Sequence, residues 1–361
     1  MHIAILTHGV SPFGHGYRDA FVRAGHHATI ISLTPMEAAQ AQASAAIVLD
    51  QHGFTPWSPP SRWAYLGSVP RLRRVLRQIK PDLLFGLYLS SAGLVACLSG
   101  HPHVVVSAHG TDVHARHGNP AWRAIYRWMA RKALFVHAVS DELASSLAQR
   151  VGIDRRRIMA VPIGIDTTQF AFVEPARRPN RGEILTTRAH DPVYGQITFL
   201  RALRRLRDRG VACTGVFASG RRYRDTVDLA AKEGVGEQTR FLGGFDSEDL
   251  PRILAEADVY VSCSRTDGTS QSLLEAMSSG LFPVVSAIEA NRPWIVDGDN
   301  GFLFPVGDDA ALARRLEEAL ANPALRATVA PRNRTIIEQR GDVHALAGQL
   351  LRRFEAALPA R

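Results

Sequence analysis

Short apolar runs alternate with longer amphipathic stretches along the first half of the chain. The runs His2–Thr7, Ala28–Leu33, Ala46–Leu49, Leu83–Leu87, Val104–Ala108, Leu134–Ala138 and Ile158–Val161 predict strands, with helices over 15–25, 70–79, 90–99, 119–132 and 141–150. Most of these runs are apolar at every position, the pattern of parallel strands covered on both faces. A polar stretch with two prolines, 171–181, interrupts the alternation and reads as a linker. The alternation then restarts. Strands are predicted at 183–187, 212–218, 238–242, 258–262, 282–285 and 302–304, helices at 195–209, 223–233, 247–255, 271–279 and 308–321, and a closing helical stretch at 333–357. Such repetition predicts an α/β chain of two doubly wound units. The expected division is 1–170, the linker 171–181, 182–335, and a helical segment 336–361 packing back on the first unit. In open parallel sheets, ligands bind outside the carboxyl ends of the strands, so two facing units would place a site in the cleft between them.

Length agrees with two units: 361 residues at roughly 150 per domain. Apolar residues make up 46% and charged residues 21%, which excludes a disordered or fibrous protein. The charge is unevenly placed. Residues 1–170 carry 17 Lys and Arg against 9 Asp and Glu, net +8, and 12 of the 14 histidines, whereas the remainder carries 26 against 25. The excess points to a localised anionic partner: nucleic acid, a membrane surface or a phosphorylated substrate. Leu72, Val75 and Ile79 lie against a cationic face, and Trp122, Tyr126 and Trp128 mix with Arg123, Arg127, Arg131 and Lys132. Such interleaving suits an anionic bilayer surface. No nucleic-acid-binding signature accompanies the charge.

Residues 83–100 contain no Asp, Glu, Lys or Arg, but their glycines and serines read as a buried strand and helix rather than a membrane span. Three scattered cysteines, Cys97, Cys213 and Cys263, give neither a disulfide framework nor metal-ligand spacing, and the N-terminus lacks the marks of a signal peptide. A cytoplasmic protein is the expectation.

The strongest chemical signal is the segment from Ser264 to Gly280. An apolar strand feeds a turn rich in Gly, Ser and Thr, and a helix follows, offering backbone N–H groups to an anion. Asp267 in the turn and Glu275 in the helix are eight residues apart, and carboxylates suit sugar and ribose hydroxyls.

This Asp-x7-Glu segment resembles the Glu-x7-Glu motif of retaining glycosyltransferases of family 4, enzymes of the GT-B fold. Ala24-Gly-His-His27, Lys80-Pro-Asp82, Ala108-His-Gly-Thr-Asp112, Val139-Ser140 and Val161-Pro-Ile-Gly-Ile-Asp166 with Phe170 resemble further motifs of that family in the same order. The resemblance implies two Rossmann-like domains and a sugar transferase working from a nucleotide-diphosphate sugar, UDP-linked, onto a glycan, lipid-linked or small-molecule hydroxyl. Polysaccharide or lipopolysaccharide synthesis on the inner face of the plasma membrane would fit. It implies no metal, no cofactor beyond the donor, and no nucleic acid.

By the same resemblance, Glu275 binds the ribose, Asp267 the donor sugar, Arg188 the diphosphate, and the amides of Gly268, Thr269, Ser270, Gln271 and Ser272 cradle sugar and diphosphate. Gly14 and Gly16 resemble a turn that approaches the phosphates, Gly243 lies in one that lines the base pocket, and His109 contacts the reacting sugar. Asp112 is read either as orienting His109, as binding acceptor, or as a helix cap. Tyr194 stands where the family usually has lysine, so one positive charge is missing. A sugar-nucleotide epimerase and a non-catalytic binding protein remain open alternatives.

Overall fold

The computed structural model describes residues 1–9, 11–36, 41–42, 45–49, 62–178, 180–219, 223–245 and 248–359. The chain forms two compact units, Met1–Ile163 with Val343–Arg361, and Gly164–Asp342. The first holds a sheet of β1 (His2–Thr7), β2 (His27–Ser32), β3 (Ile47–Val48), β4 (Leu83–Leu87), β5 (Val104–Ala108), β6 (Val136–Ala138) and β7 (Ile158–Ala160), in the order β3-β2-β1-β4-β5-β6-β7. The second holds β8 (Glu183–Thr186), β9 (Thr214–Phe217), β10 (Thr239–Phe241), β11 (Val259–Ser262), β12 (Phe282–Ser286) and β13 (Phe302–Phe304), in the order β10-β9-β8-β11-β12-β13. Every pairing is parallel.

The uninterrupted apolar runs follow from helices on both faces. In β4, Leu84 joins one buried cluster while Leu83, Phe85 and Leu87 join the other. In β11, Val259 and Val261 face one cluster and Tyr260 the opposite one. Each sheet reverses its winding where its first strand meets its fourth, at β1/β4 and at β8/β11. Those switch points are the ligand-binding positions of open α/β sheets.

Several sequence motifs act as local fasteners. Asp82 accepts from the His2 amide at 2.7 Å, Ser140 caps the helix Asp141–Ser146 through the Leu143 amide, and Asp166 accepts from the Thr168 amide at 2.9 Å. The stretch 171–181 lies inside the second unit. There Arg178 is buried and donates to the carbonyls of Leu254 and Ala257.

The closing stretch divides into two helices, Pro323–Arg340 and Val343–Ala357. Between them, Gly341 and Asp342 pair with Ile165 and Thr167. The last helix buries Val343, Leu346, Ala347, Leu350, Leu351 and Phe354, one stripe at helical spacing, against the first unit. Phe354 meets Phe85 and Phe21 at centroid distances of 5.4 and 5.8 Å. Residue 247, the expected start of a helix, lies outside the described residues; that helix spans Leu250–Glu256.

The two basic helices pack by their apolar stripes. Leu72 and Leu76 of Val69–Ile79, and Tyr126, Met129 and Ala130 of Pro120–Lys132, are buried, and Val75, Ile79, Trp122 and Trp128 pack on the same core. Tyr126 therefore serves the interior, while Trp122 and Trp128 pack on it and stay partly exposed beside the basic side chains. Among the described residues, no helix is long and apolar enough to cross a membrane.

Candidate functional site

In the second unit, Arg188 follows β8, and the turn Ser264–Ser270 joins β11 to the helix Gln271–Ser278, so both lie at the switch point. Arg188 Nη2 meets Asp267 Oδ2 at 2.6 Å, with side chains only 11% and 16% exposed. Its Nη1 donates to Ser272 Oγ at 3.0 Å, and that oxygen also accepts from the Tyr260 hydroxyl at 2.8 Å. The guanidinium lies over the Tyr194 ring, 4.1 Å from its centroid. Its buried Nε has no hydrogen-bond partner among the described residues. Burial works against the charge of Arg188, but Asp267 and the groups around it more than offset this and hold the pKa above its ordinary value.

The tyrosine in place of lysine thus adds no charge; it stacks on the arginine and holds its plane. Tyr194 is fixed by Gly195, whose φ is +64° and whose added Cβ would lie 2.3 Å from the Cys263 carbonyl oxygen. Arg265 N bonds to Val193 O on the same seam. Gly195→Ala is expected to destabilise the protein by about 3 kcal/mol or more and to unseat Tyr194. An unchanged urea midpoint would show that this turn is not the anchor.

Glu275 is half-buried, and its carboxylate makes no hydrogen bond among the described residues. Burial raises its pKa to about 7, against a smaller opposing pull from the nearby Arg188. The other expected groups divide. Ser270 Oγ donates to Asn291 Oδ1 at 2.6 Å, and Asn291 donates to Ser286 O at 2.8 Å, a buried brace under the turn. The Gly268 amide is taken by Asp267 Oδ1 and the Gln271 amide by Thr269 O, while the Gln271 side chain donates to Gly164 O. At least two of the five expected cradle amides, those of Gly268 and Gln271, are therefore spent within the loop. Gly243 follows β10, two strands away from β8, at φ +69° and in open space.

In the first unit, His109 follows β5. Its Nε2 lies 3.0 Å from Ser107 Oγ, Tyr88 stacks on its ring at 4.2 Å, and the Phe13 ring is 5.2 Å away. Its buried Nδ1 has no hydrogen-bond partner among the described residues. Asp112 spends one carboxylate oxygen on the His109 amide (3.0 Å) and the other on the Leu89 amide (2.7 Å). Both oxygens thus hold the backbone on either side of the His109 loop. Tyr88 is a residue that pattern reading misses: non-glycine at φ +65°, it ends β4 and opens a wide helical turn, Tyr88–Gly93. Strained backbone of this kind clusters at functional sites.

Gly14 and Gly16 are not in a turn, because the first helix, Pro12–Arg23, begins before them. A Cβ at Gly14 would lie 2.7 Å from Thr7 Cγ2, so glycine lets that helix approach β1, whereas Gly16 faces open space. The chain's Asp-x-Asp tripeptide, Asp297-Gly-Asp299, is tied to Arg315 and Arg332 at 2.8 and 2.7 Å. No grouping of three or more metal-ligating side chains occurs among the described residues.

Two family models match consecutive parts of the chain: Glycosyltransferase Family 4 over residues 9–169 and Glycosyl transferases group 1 over residues 168–336. WcaL of Escherichia coli K12, assigned to colanic acid biosynthesis, is 30% identical over 220 residues, covering 58% of this chain and 53% of that protein. The chain spans about half the length of that relative. A glycosyltransferase structure from Rickettsia africae superposes with a TM-score of 0.81 at 14% identity, covering 100% of this chain and 99% of that one. Anabaena HepE in complex with UDP-glucose gives 0.77 at 18% identity, covering 99% and 100%.

Proposed function

Because the chain belongs to the family 4 glycosyltransferases, we propose that it moves a hexose from a nucleotide-diphosphate sugar, UDP-linked, to a hydroxyl of a glycan or lipid-linked acceptor, with retention. The observation that carries this is the pairing, at one switch point, of a fixed guanidinium, Arg188, with a half-buried carboxylate, Glu275, that makes no hydrogen bond among the described residues. A guanidinium stays charged and binds phosphate oxygens through two N–H groups. A carboxylate accepts from both hydroxyls of a ribose. In this reading Asp267 engages the donor sugar and His109 contacts the reacting sugar. Thr269, Ser270 and Ser272 line the phosphate side of the turn. The protein accelerates transfer by holding both substrates and stabilising charge on the departing diphosphate. The +8 half attracts an anionic acceptor or lipid surface through its charge, with the partly exposed Trp122 and Trp128 beside it.

Incubation with UDP-, GDP- and ADP-sugars, with and without candidate acceptors, tests the proposal. Nucleotide released only when acceptor is present supports it. A changed sugar without release indicates an epimerase, and no binding of any nucleotide refutes both.

The ionisation of Glu275 adds a second test. Its pKa is raised to about 7 by burial, and hydroxyl donors favour the ionised form. Nucleotide affinity is therefore expected to rise about tenfold between pH 6 and pH 8, with proton release on binding at neutral pH. In the free protein the sign is opposite: the raised pKa lowers folding stability as pH climbs from the ordinary glutamate value to about 7. Calorimetric titration at three pH values checks the binding arm, and a flat profile would remove Glu275 from the ligand.

A further inference from the structure

A chain of buried hydrogen bonds in the first unit has one consistent direction. His137 Nε2 lies 2.8 Å from the Val161 carbonyl oxygen, and its Nδ1 lies 2.8 Å from Ser107 Oγ. Ser107 Oγ lies 3.0 Å from His109 Nε2. Ser107 and His137 are fully buried and His109 nearly so. A carbonyl oxygen only accepts, so His137 carries its proton on Nε2. Desolvation pushes both imidazoles toward the neutral form, His109 well below the usual histidine range and His137 to about 4. A neutral His137 protonated on Nε2 must accept at Nδ1, which takes the single proton of Ser107. Ser107 then has only lone pairs to offer, and His109 must donate to it from Nε2. The reverse direction would set the bare Nε2 of His137 against a carbonyl oxygen at 2.8 Å.

We infer that Ser107 and His137 are positioning residues that lock His109 as the Nε2–H tautomer and leave its Nδ1 as a hydroxyl-accepting lone pair. The inference rests on the proposed transferase reading for what the lone pair accepts, namely a hydroxyl of the reacting sugar. Nδ1 is buried and without a hydrogen-bond partner among the described residues, an expensive state for an acceptor that no ligand ever meets. The rings of Tyr88 and Phe13 pack against the His109 ring, with centroids 4.2 and 5.2 Å away. Deeper in the strands, Ser107 and His137 touch no ligand; they act through His109 alone.

The test is a long-range proton–nitrogen spectrum of protein labelled with ¹⁵N in its histidine rings, with His109 assigned by its absence in His109→Gln. One bare Nδ1 and one protonated Nε2 are expected in the wild type. Ser107→Ala should give a mixture of tautomers, and Ser107→Thr, which keeps the hydroxyl, should restore the single form. With an active donor and acceptor, Ser107→Ala should lower kcat about tenfold with nucleotide Kd unchanged, while Ser107→Thr stays within about twofold. A proton on Nδ1 in the wild type overturns the inference, as does a Ser107→Ala variant that keeps both the single tautomer and its turnover. If the wild type transfers no sugar from any nucleotide, the transferase reading fails while the tautomer is still decided by the spectrum.

Discussion

Glu275→Ala is expected to abolish nucleotide binding in calorimetric titration, with Kd rising at least about 100-fold. The carboxylate sits in the helix Gln271–Ser278 with no hydrogen bond among the described residues, so its removal orphans no hydrogen-bonding group there. The loss falls on the ligand, which would forfeit two charge-assisted bonds to its ribose. The same reasoning predicts an unusual companion result. A carboxylate with its pKa raised to about 7 by burial is an electrostatic liability to the free fold. The melting temperature of Glu275→Ala at pH 8 should therefore equal or exceed that of the wild type. Glu275→Gln should keep the shape and lose most of the binding. Unchanged affinity in both variants would move the nucleotide away from this helix.

The strands were legible because parallel strands covered on both faces need apolar residues at nearly every position, and β1, β4, β5 and β11 are built mainly of them. The break in the closing helix was not, because Gly341 and Asp342 are diverted by backbone pairing with Ile165, a contact between residues far apart in sequence. The turn of the second unit was readable through its Asp-x7-Glu spacing. What the spacing could not convey is that Asp267 already occupies Arg188, or that Tyr194 stacks on that guanidinium. In the first unit, the role of His109 was implied by the family resemblance of Ala108-His-Gly-Thr-Asp112, and its place after an apolar strand agrees with it. Ser107 and His137 were missed, although each is a lone polar residue in an apolar strand and fully buried. An isolated polar residue in such a run is the available signal, since burial without a partner is costly. Tyr88 carries no comparable signal, because positive φ is a property of the assembled fold.

Arg188→Gln is expected to lower kcat/KM by about 1000-fold, the scale seen when a preorganised donor to developing charge is removed. Stability should fall as well, because Asp267, at 16% exposure, would lose the cation it meets at 2.6 Å. The two losses have different origins, and a second substitution separates them. Asp267→Asn in the Arg188→Gln background removes the uncompensated charge, so most of the stability should return. Transfer should not, since no guanidinium is present to take the diphosphate. Asp267→Asn alone frees Arg188 from its internal partner, so affinity for a bare nucleoside diphosphate should hold or rise while transfer of the sugar declines. A site in which Arg188 served only to neutralise Asp267 would behave otherwise: the double variant would regain turnover together with stability. Recovery of stability without turnover is the result that assigns Arg188 to the donor.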